Sequence, residues 1–244
     1  MPELLIPPLL WADLGLCEYQ RAWDLQKRLH ALCVAGRLRG IVLMVQHPSV
    51  LTLGKNADAS FIKSSPAELS QQGVAVVPID RGGEVTAHSP GQLVVYPILP
   101  LREFRLTPKK FVTLLEELVI QVLRSYGVTG ARDEINPGVW VGRDKICAIG
   151  VRIQERVSLH GFAFNICNDL NLFENIVPCG IADRGVTSLS RVLGRRISCD
   201  EVMPYVVDFF KNNLDKGGVK ASIIPSSTGE GWQLQALNGL DMEF

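Results

Sequence analysis

Apolar residues along this chain recur with two periods, and the changes of period divide the sequence into helices and strands. From Asp13 to about Ala35, Leu16, Tyr19, Trp23, Leu25, Leu29, Leu32 and Cys33 fall at mostly helical spacing, with Arg21, Lys27 and Arg28 turned to water. The clearest helix runs from Thr107 to Tyr126. Thr107 is a natural N-cap with Pro108 at the first helical position, and Gly127 closes the helix. Phe111, Leu114, Leu115, Leu118, Val119, Val122, Leu123 and Tyr126 make its apolar stripe. A third helix opens at Ser198, where Glu201 three residues on completes a capping-box pattern, and continues to about Asp215.

Between the helices the pattern shortens. Residues 40–45, 50–54, 74–77 and 93–96 are brief apolar runs of the kind that form buried strands. Residues 139–141, 145–153 and 157–166 follow one another across tight turns and predict an antiparallel meander. Strands in the middle with helices flanking them predict an α+β fold, a mostly antiparallel or mixed sheet flanked by helices. No repeat or low-complexity linker breaks the chain, so residues 1–216 read as one domain. Residues 217–244, rich in Gly and Ser at their start, read as a loosely packed C-terminal extension.

Composition narrows the function classes. Lys plus Arg and Asp plus Glu both number 25, so no net charge favours nucleic acid or an anionic membrane. The local cluster Arg191, Arg195 and Arg196 reads first as a solvated face. No apolar run is long enough to span a bilayer, and the N-terminus lacks the basic start of a signal peptide, so a cytoplasmic location is expected. Six scattered cysteines without a close pair predict neither a disulfide framework nor a zinc site.

The chemistry concentrates in a few places. Arg81-Gly82-Gly83-Glu84-Val85-Thr86-Ala87-His88-Ser89-Pro90-Gly91-Gln92 packs an arginine, a diglycine and a histidine between two apolar runs, and predicts a functional loop. Cys179, between Pro178 and Gly180, sits on a turn where its sulfur is reachable. Cys17, Cys33 and Cys147 lie in helix or strand runs and read as small buried hydrophobes. An ordinary thiol is only a few per cent thiolate at pH 7, and a cation lowering its pKa by about two units favours the nucleophile by roughly 2.7 kcal/mol. Lys145, at the start of an apolar strand, is a candidate cation as well as an ordinary solvated lysine, while His88 and His160 are competing bases.

Five segments taken together resemble the lipoyl(octanoyl) transferase family. They are Arg81–Gln92, Pro137-Gly138-Val139-Trp140, Lys145-Ile146-Cys147-Ala148-Ile149-Gly150, His160-Gly161-Phe162-Ala163-Phe164-Asn165, and Asp169 to Gly180. The resemblance implies the fold of lipoate and biotin protein ligases. It also implies transfer of an octanoyl group from octanoyl-acyl carrier protein to a lysine of a lipoyl domain, without ATP or a metal. The acceptors would be lipoyl domains of 2-oxoacid dehydrogenase E2 subunits and the glycine cleavage H protein. By the same resemblance Cys179 carries the acyl group and Lys145 is catalytic, with His160 in support. The substrate pocket falls on Arg81, Gly82, Gly83, Glu84, Val85, Thr86, Ala87, His88, Ala148, Ile149, Gly150, Gly161, Phe162 and Ala163. Ala87 stands where the family carries a Tyr or Phe, which raises the expectation of a widened acyl pocket, and Ser89 replaces a common Gly.

Overall fold

The computed structural model describes residues 7–133, 136–176, 184–225, 232–236 and 241–243. Its elements, in chain order, are β1 (Leu10–Leu16), α1 (Tyr19–Val34), β2 (Ile41–Gln46), β3 (Val50–Leu53), α2 (Pro66–Gln71), β4 (Ala75–Pro78), β5 (Val85–His88) and β6 (Gln92–Ile98). These are followed by α3 (Pro108–Ser125), β7 (Ala131–Arg132), β8 (Gly138–Val141), β9 (Asp144–Gln154), β10 (Val157–Asn165), α4 (Leu189–Leu193), α5 (Cys199–Asn213), β11 (Val219–Pro225), β12 (Trp232–Ala236) and β13 (Asp241–Glu243).

One large mixed sheet runs β13-β12-β11-β1-β2-β6-β10-β9-β8-β7, and a small one runs β4-β3-β5. In the large sheet β1 lies parallel to both β2 and β11, and the other pairings are antiparallel. Strand alternation sorts the side chains onto two faces. Val42, Met44, Leu93, Val95, Phe162 and Phe164 meet Phe111, Leu115, Leu118 and Leu123 of α3, with Val202 and Val206 of α5 behind them. Ile41, Leu43, Val45, Val94, Tyr96 and Ile98 face Ala22, Leu25, Leu29 and Leu32 of α1. Helices on both faces explain why β2 and β6 read as unbroken apolar runs.

Local chemistry sets the helix ends. The Thr107 hydroxyl accepts from the Lys110 N–H, and the Ser198 and Glu201 side chains satisfy each other's backbone N–H groups. The start of the first helix differs from the sequence expectation. Asp13–Leu16 belongs to β1, and helix begins only at Tyr19. Backbone pairing with β2 along the strand, and with β11 at Leu10 and Trp11, is a non-local gain that local periodicity does not register. Likewise, Val85–His88 inside the expected loop is a strand paired with β3. Beyond residue 216, β11, β12 and β13 continue the large sheet, and Ala221, Leu234 and Ala236 are buried in the α1-side core. Arg191, Arg195 and Arg196 are exposed.

Candidate active site

The α1 side of the large sheet holds a cavity of about 390 Å³. Its floor is made of small residues set side by side, with Ala148 opposite Ala163 and Gly150 opposite Gly161 on β9 and β10. Of the expected pocket residues, Arg81 to Thr86, His88, Ala148 to Gly150 and Gly161 to Ala163 line this cavity, together with Lys145 and His160. Ala87 is placed differently. It is fully buried among Leu51, Leu69, Val85 and Phe173 in the core of the small sheet, and it is not among the cavity's lining residues. Val85, Thr86 and His88 line the cavity, whereas Ala87 packs in the small-sheet core. Cys179 lies outside the described residues.

The Arg81 segment forms one wall. The Arg81 guanidinium donates to the Thr52 carbonyl at 2.9 Å and hydroxyl at 3.0 Å, and to the Gly82 carbonyl at 3.1 Å. The Gly82 N–H donates to the Val151 carbonyl at 3.2 Å. Glycine is required at Gly54 below this wall, where a Cβ would stand 2.2 Å from the Gly83 carbonyl oxygen.

Three neutral imidazoles stand at this site, His88 and His160 lining the cavity and His47 packed against His88 at 5.7 Å, and their partners fix their tautomers. His47 Nδ1–H donates to the Cys17 carbonyl at 2.6 Å, since a carbonyl can only accept. His47 Nε2 is then the acceptor for the Tyr96 hydroxyl at 2.8 Å. The Gln92 amide N–H groups donate to the Ala87 carbonyl at 3.1 Å and to Asn165 Oδ1 at 2.9 Å. Gln92 Oε1 therefore accepts from His88 Nδ1–H at 2.7 Å, leaving His88 Nε2 as a bare acceptor. Asn165 in turn donates to the Thr187 carbonyl. Burial holds His47 down at about 4, and burial with the nearby His47 and Arg81 holds His88 down at about 3.

His160 has a positive φ of 58° within β10. By alternation its side chain belongs with Phe162 and Phe164 on the α3 face, yet it meets the Trp23 ring of α1 at 6.2 Å and Asp80 at 2.7 Å. The left-handed residue costs on the order of 1 kcal/mol and turns the imidazole onto the cavity side. Asp80 accepts from Nε2–H and also pairs with Arg152. Burial and the Arg81 and Arg152 guanidiniums keep His160 neutral, at about 3.

Lys145 occupies the other end. It is buried, and its ammonium lies 4.8 Å from the centre of the Trp140 ring, which Arg184 also approaches at 4.7 Å. Its backbone N–H donates to the Gly185 carbonyl at 2.9 Å, and its carbonyl accepts from the Thr187 N–H at 3.0 Å. Burial raises the thiols of Cys33 and Cys199 to about 12 and that of Cys147 well above the usual range. Among the described residues no cluster of three or more His, Cys, Asp or Glu could hold a metal, and no helix is long and apolar enough to cross a membrane. Sequence reasoning gave no role to Tyr19, Tyr96 or His47. Their signal, if any, was a tyrosine inside a buried apolar strand, whose hydroxyl must find a partner.

A family model for the lipoyl protein ligase A/B catalytic domain matches residues 18–211. The chain is 43% identical over 199 residues to the octanoyltransferase of Alkaliphilus metalliredigens, covering 81% of this chain and 91% of that one. It is 48% identical over 192 residues to the octanoyltransferase of Chloroflexus aggregans, covering 78% and 87%. Among solved structures it is similar to lipoate-protein ligase A bound with ATP, with TM-score 0.64, 14% identity and 84% coverage of each chain. The Thermoplasma acidophilum protein Ta0514 with bound lipoic acid superposes with TM-score 0.68 at 14% identity, over 92% of each chain. The fold is therefore that of the lipoate protein ligases. The chain belongs to the lipoyl protein ligase A/B catalytic domain family, where octanoyltransferases are its sequence relatives.

Proposed function

We propose that the protein is an octanoyltransferase that moves an octanoyl group from octanoyl-acyl carrier protein to a lysine of lipoyl domains, the first step of endogenous protein lipoylation. One observation carries this reading. In a chain whose relatives are octanoyltransferases, Lys145 stands on the wall of a cavity floored by Ala148, Gly150, Gly161 and Ala163. Such a trough admits an unbranched acyl chain. Burying its six inner methylenes contributes up to about 5 kcal/mol, at about 0.8 each.

In this mechanism the Cys179 thiolate attacks the donor's thioester carbonyl. An S-acyl bond forms on Cys179 and the carrier's pantetheine thiol leaves, taking a proton. The amine of the acceptor lysine then attacks the acyl-enzyme, an amide forms, and the Cys179 sulfur is released. Lys145 stabilises the thiolate as a neighbouring ammonium, gives its proton to the departing pantetheine thiolate, and, now neutral, takes the proton that the acceptor amine must lose. A thioester donor and an amide product make transfer downhill, so the reaction needs neither ATP nor a metal. Anchors close in sequence to Cys179 support the pairing with Lys145. Ile176 bridges to Ile62 on one side, and Val186 bridges to Lys145 itself on the other. The acceptors are the lipoyl domains of 2-oxoacid dehydrogenase E2 subunits and the glycine cleavage H protein, and the site of action is the cytoplasm.

The test is intact-mass spectrometry after mixing with octanoyl-carrier protein and then with a lipoyl domain. The expected result is an octanoyl adduct on the protein that moves to the domain without ATP and is abolished by Cys179→Ala. An adduct that survives Cys179→Ala, a requirement for ATP, or release of free octanoate in place of transfer each refutes the reading.

A further inference from the structure

We propose that Asn165 is a positioning residue that locks Gly185–Thr187, the segment following Cys179 in the chain, in register beside Lys145. This rests on the octanoyltransferase reading above for the roles of Cys179 and Lys145. Asn165 itself is not among the cavity's lining residues.

Asn165 ends β10 at the point where β9 changes partner. The pairing of β9 with β10 runs as far as Cys147 opposite Phe164. Earlier on β9, Lys145 pairs instead with Val186 in an isolated parallel bridge. Two hydrogen bonds make that bridge, from the Lys145 N–H to the Gly185 carbonyl at 2.9 Å and from the Thr187 N–H to the Lys145 carbonyl at 3.0 Å. A ladder this short does not fix its own register, and a slip of one residue would send the side chains of the segment to opposite faces.

The buried Asn165 side chain supplies the constraint that the bridge lacks. Its Nδ2–H donates to the Thr187 carbonyl at 3.0 Å, so Thr187 is held through its N–H by Lys145 and through its C=O by Asn165. Its Oδ1 accepts from Gln92 Nε2–H at 2.9 Å and from Asn168 Nδ2–H at 3.2 Å. Turned over, the amide would set its oxygen against the Thr187 carbonyl and its N–H groups against those of Gln92 and Asn168, so one orientation is enforced. Asn165 is also opposite Gln92 in the register of β10 with β6, which ties Thr187 to the middle of the large sheet. Aspartate has the same shape without the donor, and would bury a carboxylate oxygen against a carbonyl oxygen. The charges around Lys145 are Glu116 of α3 paired with Arg132, Asp144 against Gly185, and Arg184 paired with Asp133, and they are the same in every variant below.

The experiment compares the wild type with Asn165→Asp and with Asn165→Ser, which removes the donor without burying a charge and serves if Asn165→Asp does not fold. Val206→Ala, in the core between α3 and α5, is the control for lost stability alone. Circular dichroism establishes that each variant is folded. Iodoacetamide alkylation of Cys179 across pH, read by peptide mass spectrometry, gives the thiol's midpoint, and transfer from octanoyl-carrier protein gives kcat and KM. The wild-type midpoint should lie below the ordinary thiol value of about 8.5. In the Asn165 variants it should rise by about one pH unit, a tenfold loss of thiolate at fixed pH, and kcat should fall about tenfold with KM within about twofold. Val206→Ala should leave all three unchanged. A folded Asn165 variant whose midpoint moves by less than about 0.3 units and whose kcat stays within about twofold of wild type overturns the positioning role and leaves octanoyl transfer intact. So does a variant that loses no more than Val206→Ala does. A wild-type thiol with an ordinary midpoint overturns the pairing of Cys179 with Lys145, and the positioning role with it.

Discussion

Acidification should unfold this protein earlier than its carboxylates alone would allow. His47, His88 and His160 are buried, and burial holds them at about 4, about 3 and about 3. In the unfolded chain each returns to about 6.5. Between these limits the unfolded state binds protons that the folded state refuses, so stability falls as pH falls. The full contribution is present above about pH 6.5 and is lost progressively toward pH 4 and 3, at up to about 1.4 kcal/mol per pH unit per group. From pH 7 to pH 5 each histidine costs about 2 kcal/mol, and the three together about 6 if independent. A domain of this kind has a total stability of about 5–15 kcal/mol, so the loss is large. Carboxylates with lowered values, such as Asp24 and Glu117, act in a separate window, because their protonation in the unfolded chain begins only below about pH 5. Urea denaturation at pH 7, 6 and 5 measures the effect through the midpoint, with a constant m-value showing that the unfolding transition is unchanged. His88→Gln should remove roughly a third of the slope. A stability that changes by less than about 1 kcal/mol across this range would refute the neutral, buried assignment of all three rings.

Two further outcomes follow from the packing. Gln92→Leu deletes the partner of His88 Nδ1 and one donor each to the Ala87 carbonyl and to Asn165 Oδ1, which keeps Asn168 Nδ2, and should cost about 3 kcal/mol. Chemical denaturation measures the cost, and nitrogen chemical shifts report whether His88 keeps its tautomer. Ala87→Phe overfills the small-sheet core and should destabilise by about 1–3 kcal/mol while leaving the chain-length profile of transfer unchanged. A changed profile would mean that position 87 reaches the cavity after all.

The parts legible in the sequence were those with local causes. The Thr107 and Ser198 caps, the apolar stripe of α3 and the antiparallel succession β8-β9-β10 each follow from neighbours a few residues apart. The alternation that reads β9 and β10 as strands also sets Ala148 opposite Ala163, but only register shows that the pair floors a cavity. What escaped is non-local. Leu10–Leu16 is a strand because β2 and β11 lie on either side of it. Ala87 was expected in the pocket from the family resemblance, whereas its side chain packs in the small-sheet core. The partnership of His47 with Tyr96 joins residues 49 positions apart, and no local pattern announces it. His160 shows the converse. Its own geometry breaks alternation, and a strained backbone cannot be read from composition.

One consequence of the strand lengths concerns self-association through an unpaired strand edge. β9 has 11 residues and β8 only 4, so beyond Ala148 the outer edge of β9 has no β8 partner among the described residues. Such an edge, carrying Ile149, Val151 and Ile153, is a template for a foreign strand. The diglycine segment occupies it instead, with the Gly82 N–H on the Val151 carbonyl. The same backbone that shapes the substrate wall therefore also guards the sheet against intermolecular pairing. A mutation there selected for loss of activity carries a second liability, a self-association hazard that an activity assay alone would not register.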